Sequence, residues 1–128
     1  MSCSRWLVTG GLGFIGSAFV RIVLRERSDL AVTVLDAMTY AANPANLADV
    51  AGDPRYRFVQ GDIADGAAVD EAIGSGVEAI VNFAAETHVD RSILDPEAFI
   101  RTDVMGTHVL LEAVRRHEIA RFLQVSTD

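Results

Sequence analysis

The sequence contains a single cysteine, Cys3, so no disulfide can close within the chain. This usage suits a reducing compartment. Cys3 stands at the entry to the first apolar run and reads as a bystander thiol rather than a reactive one. Positive charge is also scarce: 11 basic residues face 18 acidic ones, for a formal net charge of −7. Phosphate backbones are gripped by basic patches, so this balance argues against nucleic acid as a partner. No apolar run reaches the ~18–20 residues needed to cross a bilayer. The first residues lead into a glycine loop and a helical pattern rather than an apolar stretch with a cleavage site. The chain is therefore expected to be soluble, cytoplasmic and free of membrane association. No metal is expected: His108 and His117 have no Cys or carboxylate at ligand spacing and read as surface or packing residues.

Half of the 128 residues are apolar, and a chain of this size buries roughly two-thirds of its unfolded surface, enough for one real core. Strand-like and helix-like runs alternate from end to end. Trp6–Val8 is the first short strand. Phe14–Arg27 follows as a helix whose apolar stripe is expected to be Phe14, Ile15, Ala18, Phe19, Ile22 and Val23. Ala31–Leu35 is a second strand, rich in β-branched residues, and a loop and a short helix near Asn46–Val50 come next. Tyr56–Gln60 reads as a third strand, and Asp65–Ile73 as a helix stopped by Gly74 and Gly76. Ala79–Phe83 is a fourth strand. A long helix is expected over Pro96–His117, with Pro96 in its first turn and Ile100, Val104, Leu111 and Val114 facing one way. Arg121–Val125 is a fifth strand. Strands joined by helices of this length run parallel, and their near-continuous apolar character matches a sheet covered on both faces. The pattern predicts an α/β fold: a doubly wound parallel sheet of about five strands in one domain, with no repeat, linker or low-complexity tract.

Between the first strand and the first helix lies Thr9-Gly10-Gly11-Leu12-Gly13-Phe14-Ile15-Gly16. Its glycines follow a G-x-x-G-x-x-G spacing. Gly10 permits a sharp turn out of the strand, Gly13 lets the backbone approach a pyrophosphate, and Gly16 allows close helix packing. The helix N-terminus then presents unpaired N–H groups to the phosphates. A glycine triplet alone is weak, but here a strand precedes it, a helix follows it, and Asp36 ends the next strand 20 residues beyond Gly16. A carboxylate there can accept from the adenosine ribose hydroxyls and would repel a 2′-phosphate. Ala37 offers no arginine to receive one. The pattern favours NAD over NADP. Asp62 and Ile63 follow the third strand and could bracket an adenine, with Asp62 accepting from its amino group; a turn or helix-capping role for Asp62 is equally consistent with the pattern. Ala84 and Ala85 follow the fourth strand, where small side chains would let the backbone pass close to a cofactor. Glu86 reads as a cofactor contact or a turn cap, His88 as an active-site or structural residue, and Asp90-Arg91 as an ion pair.

Longer blocks carry a resemblance: TGGLGFIGS at 9–17, LDAMTYAAN at 35–43, NFAAETHVDRSI at 82–93, DVMGTHVLLEA at 103–113 and VSTD at 125–128. The chain resembles the dTDP-glucose 4,6-dehydratases of the extended short-chain dehydrogenase/reductase family (the NAD-dependent epimerase/dehydratases) over essentially its whole length. The glycine loop is common to the superfamily; the Thr39-Tyr40 pair and the 84–93 block are far more specific. The closing Ser-Thr-Asp differs from the two serines usual in sugar epimerases. The resemblance implies a Rossmann domain that binds NAD, acting in deoxysugar biosynthesis on a nucleotide-sugar substrate, dTDP-glucose. Phe14 and Ile15 would line the pyrophosphate; Asp36, Ala37, Met38 and Thr39 would surround the ribose; Asp62 and Ile63 would hold the adenine. Phe83 to Thr87 would run beneath the cofactor, with Thr87 also touching the sugar nucleotide, and Thr102 would add a cofactor contact. Thr127 would bind the hexose near its C4 hydroxyl, and Asp128 would protonate the departing C6 hydroxyl.

The implied reaction is a lyase cycle: hydride leaves C4, water is lost across C5 and C6, and hydride returns to C6, so that the cofactor is regenerated at each turnover. The family's Glu after the Ser-Thr-Asp, its Tyr-x-x-x-Lys and its sugar-nucleotide domain are not among these residues, so residues 1–128 are expected to be an incomplete NAD-binding domain without turnover alone. General acid–base steps are worth roughly 10²–10⁴ in rate each. Full-length relatives are expected to be homodimers. Ala37, Ala42 and Asp103 stand where the family usually has Lys, Gly and Asn. Other readings of the same fold are a nucleotide-sugar epimerase or decarboxylase, or a non-catalytic NAD-binding module.

Overall fold

The computed structural model describes residues 4–37, 44–84 and 96–125. The elements, in chain order, are β1 (Ser4–Thr9), α1 (Phe14–Glu26), β2 (Leu30–Asp36), a 3₁₀ turn (Pro44–Leu47), β3 (Tyr56–Gln60), α2 (Gly66–Ile73), β4 (Ala79–Asn82), α3 (Pro96–Ile100), a π-helical segment (Arg101–Gly106), α4 (Thr107–Arg116) and β5 (Arg121–Gln124). The strands form one sheet in the order β3-β2-β1-β4-β5, and every pairing is parallel. The chain winds outward from β1 to β3, then crosses back over β1 to place β4 and β5 on the other side. This reversal opens a crevice beside the C-terminal end of β1, where the return connections diverge.

Period-2 alternation sends neighbouring strand residues to opposite faces. Leu7, Leu35 and Ile80 join one buried cluster with Val69, Ala72 and Ile73 of α2 and Leu110 and Ala113 of α4. Val8, Val34 and Val81 join the other, with Val20, Val23 and Leu24 of α1, Leu12 and Leu47. The sheet is thus covered on both sides, as its apolar runs predicted. Local signals fix the helix ends. Asp65 caps α2 by accepting from the Ala67 N–H at 3.0 Å, and Gly74, at φ 59°, ends it.

Two helix faces differ from expectation. In α1 the buried residues are Gly16, Ser17, Val20, Val23 and Leu24, whereas Phe14, Ile15 and Ile22 are exposed. Apolar side chains occur on every side of this helix. The small Gly16 and Ser17, which let it approach the glycine loop, decide which side turns inward. Along 96–116, Gly106, Leu110 and Ala113 are buried while Ile100, Val104 and Leu111 are about half exposed. The π-helical segment, with its wider turn, breaks the 3.6-residue register on which the expected stripe rested. Its last residue, Gly106, lies where an added Cβ would be 2.4 Å from Ile63 side-chain carbons.

Candidate dinucleotide site

The glycine loop leaves β1 at Gly10, whose φ of +71° suits glycine. A Cβ there would also meet the Ala84 nitrogen at 2.7 Å, so this glycine lets the loop cross the end of β4. Gly16 is required by the loop itself: its Cβ would lie 2.3 Å from the Gly10 carbonyl oxygen. Gly11, not singled out in the sequence, lies against Val34, with a Cβ at 2.8 Å from that side chain. Gly13 differs from all three. Its φ of −74° and ψ of 175° are open to any residue, and among the described residues a Cβ would meet only the Gly10 oxygen, at an ordinary 3.5 Å. Among the described residues, neither backbone conformation nor packing asks for glycine there.

Gly13 is also the N-cap of α1 and offers no side-chain cap, and the first turn carries no acidic residue. Helix geometry leaves the N–H groups of Phe14, Ile15 and Gly16 without intrahelical acceptors, since the first such bond is Ser17 N–H to the Gly13 oxygen at 2.9 Å. The helix dipole adds positive potential at the same point. A smooth backbone surface and a row of donors thus face the crevice together, flanked by the exposed side chains of Phe14 and Ile15.

Asp36 ends β2 and is 7% exposed. It turns toward the loop: the Leu12 N–H donates to its Oδ2 at 3.0 Å. Its charge is felt at Tyr56, whose phenol is pushed up by burial first and by the Asp36 carboxylate second. Ala37 is exposed beside it. Asp62 makes a turn, accepting the Ala64 N–H at 2.9 Å, and pairs with the Arg101 guanidinium at 2.9 Å. The turn role left open for it is therefore present. Ile63 is buried in the core and packs against Gly106, so its side chain serves the helix contact. Phe83 is partly buried and its ring sits 5.3 Å from that of Phe19. Ala84 lies under Gly10. The structure thus brings Gly10, Gly13, Phe14, Ile15, Gly16, Asp36, Phe83 and Ala84 around one loop. Met38, Thr39, Ala85, Glu86, Thr87, Thr127 and Asp128 lie outside the described residues, as do Ala42, His88, Asp90 and Arg91. Thr102 falls in the π-helical segment, and its side chain is outside the description.

Sequence reasoning missed the polar groups that hold the loop. Asn46 donates to the Leu12 carbonyl at 2.9 Å. Beneath the loop, the Thr9 hydroxyl donates to Asn82 Oδ1, the Ala84 N–H donates to the same oxygen at 3.1 Å, and the Asn82 amide donates to Gln124 at 2.8 Å. These bonds tie together the C-terminal ends of β1, β4 and β5. An asparagine inside an otherwise apolar strand was the available signal, since a buried amide must find partners. Among the described residues, no group of three or more His, Cys, Asp or Glu is placed to hold a metal ion. His117 sits against Asp70 at 2.9 Å, beside Arg116, and His108 is exposed.

Residues 7–128 match the family described as GDP-mannose 4,6 dehydratase. The chain belongs to that family. Members of the wider group differ in how near they stand. A dTDP-glucose 4,6-dehydratase of Streptomyces niveus is 56% identical over 128 residues, which is 97% of this chain and 38% of that protein. The crystal structure of a DesIV double mutant, a dTDP-glucose 4,6-dehydratase of Streptomyces venezuelae with NAD bound, superposes with a TM-score of 0.89 at 50% identity, over 96% of this chain and 39% of the other. The UDP-glucose 4-epimerase of Thermotoga maritima shares the architecture, with a TM-score of 0.84 over 96% of this chain and 38% of the other, at only 27% identity. The chain therefore spans well under half the length of these relatives.

Proposed function

We propose that this chain forms the NAD-binding part of a nucleotide-sugar 4,6-dehydratase acting on dTDP-glucose. Gly13 is the observation that carries the reading: nothing among the described residues needs a glycine there, and a diphosphate lying across the loop does. The uncapped start of α1 fits the same group. NAD, when bound, supplies the acceptor and donor of a hydride. Gly10 to Gly16 hold its diphosphate, and Asp36 takes the ribose hydroxyls while rejecting a 2′-phosphate by charge. Met38, Thr39, Asp62, Ile63, Phe83 to Thr87 and Thr102 complete the cofactor contacts, with Thr87 and Thr127 assigned to the sugar nucleotide.

Asp128 acts as the acid at the C6 hydroxyl. All 11 basic residues of the sequence are arginines, so a Tyr-x-x-x-Lys pair, and with it turnover, is outside these 128 residues. The relatives' identities favour the dehydratase over the epimerase reading. No described helix is long and apolar enough to cross a membrane. The reading includes a cytoplasmic homodimer for the protein that carries this chain.

Calorimetric titration of that protein with NAD and NADP tests the cofactor assignment. NAD is expected to bind at least tenfold more tightly, a difference of about 1.4 kcal/mol. Absence of NAD binding, or a preference for NADP, overturns it. Conversion of dTDP-glucose to the 4-keto-6-deoxy sugar by the same protein, and none by residues 1–128 alone, tests the reaction.

A further inference from the structure

Both backbone polar groups of Leu12 are taken by side chains from elsewhere in the chain. Its N–H goes to Asp36 at 3.0 Å, and its carbonyl receives the Asn46 amide at 2.9 Å. The next N–H, that of Gly13, goes to the Gly10 oxygen at 3.2 Å. The peptide plane between Leu12 and Gly13 is therefore pinned at both ends, by Asn46 on its oxygen and by Gly10 on its nitrogen. Asn46 is itself held. Its carbonyl accepts from Arg21 of α1, and the neighbouring Leu47 is buried in the same cluster as Leu12. A 3₁₀ turn 34 residues along the chain thus sets the tilt of the plane that presents Gly13.

We propose that Asn46 is a positioning residue for the cofactor's diphosphate, fixing the Leu12–Gly13 plane so that the open face of Gly13 and the first N–H groups of α1 point into the crevice together. This rests on the reading of the loop as an NAD site. Asn46 touches neither ligand nor reacting atoms; it acts through the loop. Loss of its bond frees the Leu12 carbonyl to rotate, and the diphosphate then meets a loop that must be ordered on binding.

The test uses the whole protein with Asn46→Ala, with Asn46→Asp, which keeps the shape but sets a carboxylate against the Leu12 carbonyl, and with Arg21→Ala. Ligands are NAD, ADP and adenosine. The expected result is a loss of affinity of about tenfold for NAD and ADP, the worth of one hydrogen bond, with adenosine binding unchanged. Arg21→Ala combined with Asn46→Ala should lose less than the sum of the two, because both act through one contact. Faster solvent exchange of the Gly13 amide in the ligand-free Asn46 variants is expected as well. Wild-type affinity for NAD and ADP in both Asn46 variants overturns the proposal and leaves the NAD reading standing. An equal loss for adenosine also overturns it, since that marks a general effect on the fold. Failure of the unaltered protein to bind NAD or ADP removes the reading and the proposal together.

Discussion

Gly13 and Gly16 stand three residues apart and answer to different demands. A Cβ at Gly16 would be forced to 2.3 Å from a backbone oxygen that cannot move without unwinding the loop. Gly16→Ala is expected to destabilise the fold by about 1–3 kcal/mol, as overpacking does, measured by denaturant unfolding. Asp36 combines two tasks, holding Leu12 and, in the proposed site, the ribose. Asp36→Asn keeps an acceptor for Leu12 but removes the charge, so NADP should gain on NAD by about tenfold in competitive titration. Far from the site, Arg55 donates to the carbonyls of Leu24 at 2.8 Å and Arg27 at 2.7 Å, closing the end of α1. It also pairs with Asp53 at 3.0 Å. The Arg55 guanidinium holds the Asp53 carboxyl below its usual 3.8. A depressed carboxyl stabilises the fold above its ordinary value and loses that contribution as pH falls through the depressed one. Unfolding measured between pH 6 and pH 2 should therefore show a shallower acid loss in Asp53→Asn than in the unaltered protein, the two slopes diverging below about pH 5.

At the level of elements, existence and order were legible and facing was not. The five strands and the helices after β1 and β3 occur where apolar runs and turn residues placed them, because both act locally. Asp65 and Gly74 bound α2 through bonds to their own neighbours, which a sequence displays. The inward side of α1 was not legible. Phe14, Ile15 and Ile22 are as apolar as the residues that were buried, and only the approach of Gly16 to the loop selects the side. The long helix hid its π-helical segment for a similar reason. Nothing in RTDVMG announces a wider turn; contact between Gly106 and Ile63 accompanies it. Of the site, the glycines and Asp36 were readable from spacing, while the clamps by Asn46, Thr9 and Asn82 depend on parts of the chain that meet only after folding.

For the molecule as a whole, the doubly wound order leaves two surfaces of interest. β5 is an edge strand with Leu123 exposed. Along 100–111, Ile100, Val104, Met105 and Leu111 keep about half of their surfaces in solvent. Such a row of large apolar side chains is costly to leave wet. In the homodimer reading it is covered by a second copy. Sedimentation of the whole protein is expected to give twice the protomer mass, and Leu111→Glu to shift it toward the protomer. A protein that runs at the protomer mass before any substitution contradicts the dimer without touching the cofactor site.

In the proposed site, the glycine at position 13 serves a ligand and not the fold. This is tested most directly by titrating NAD into Gly13→Ala beside the unaltered protein while following the stability of both. An alanine at this N-cap costs about 0.5–1 kcal/mol and recovers a similar amount from the unfolded chain, so stability should stay within about 1 kcal/mol. NAD affinity should fall by on the order of a hundredfold, because the added methyl stands where the diphosphate must pass. Gly13→Ala that binds NAD as tightly as the unaltered protein contradicts the account.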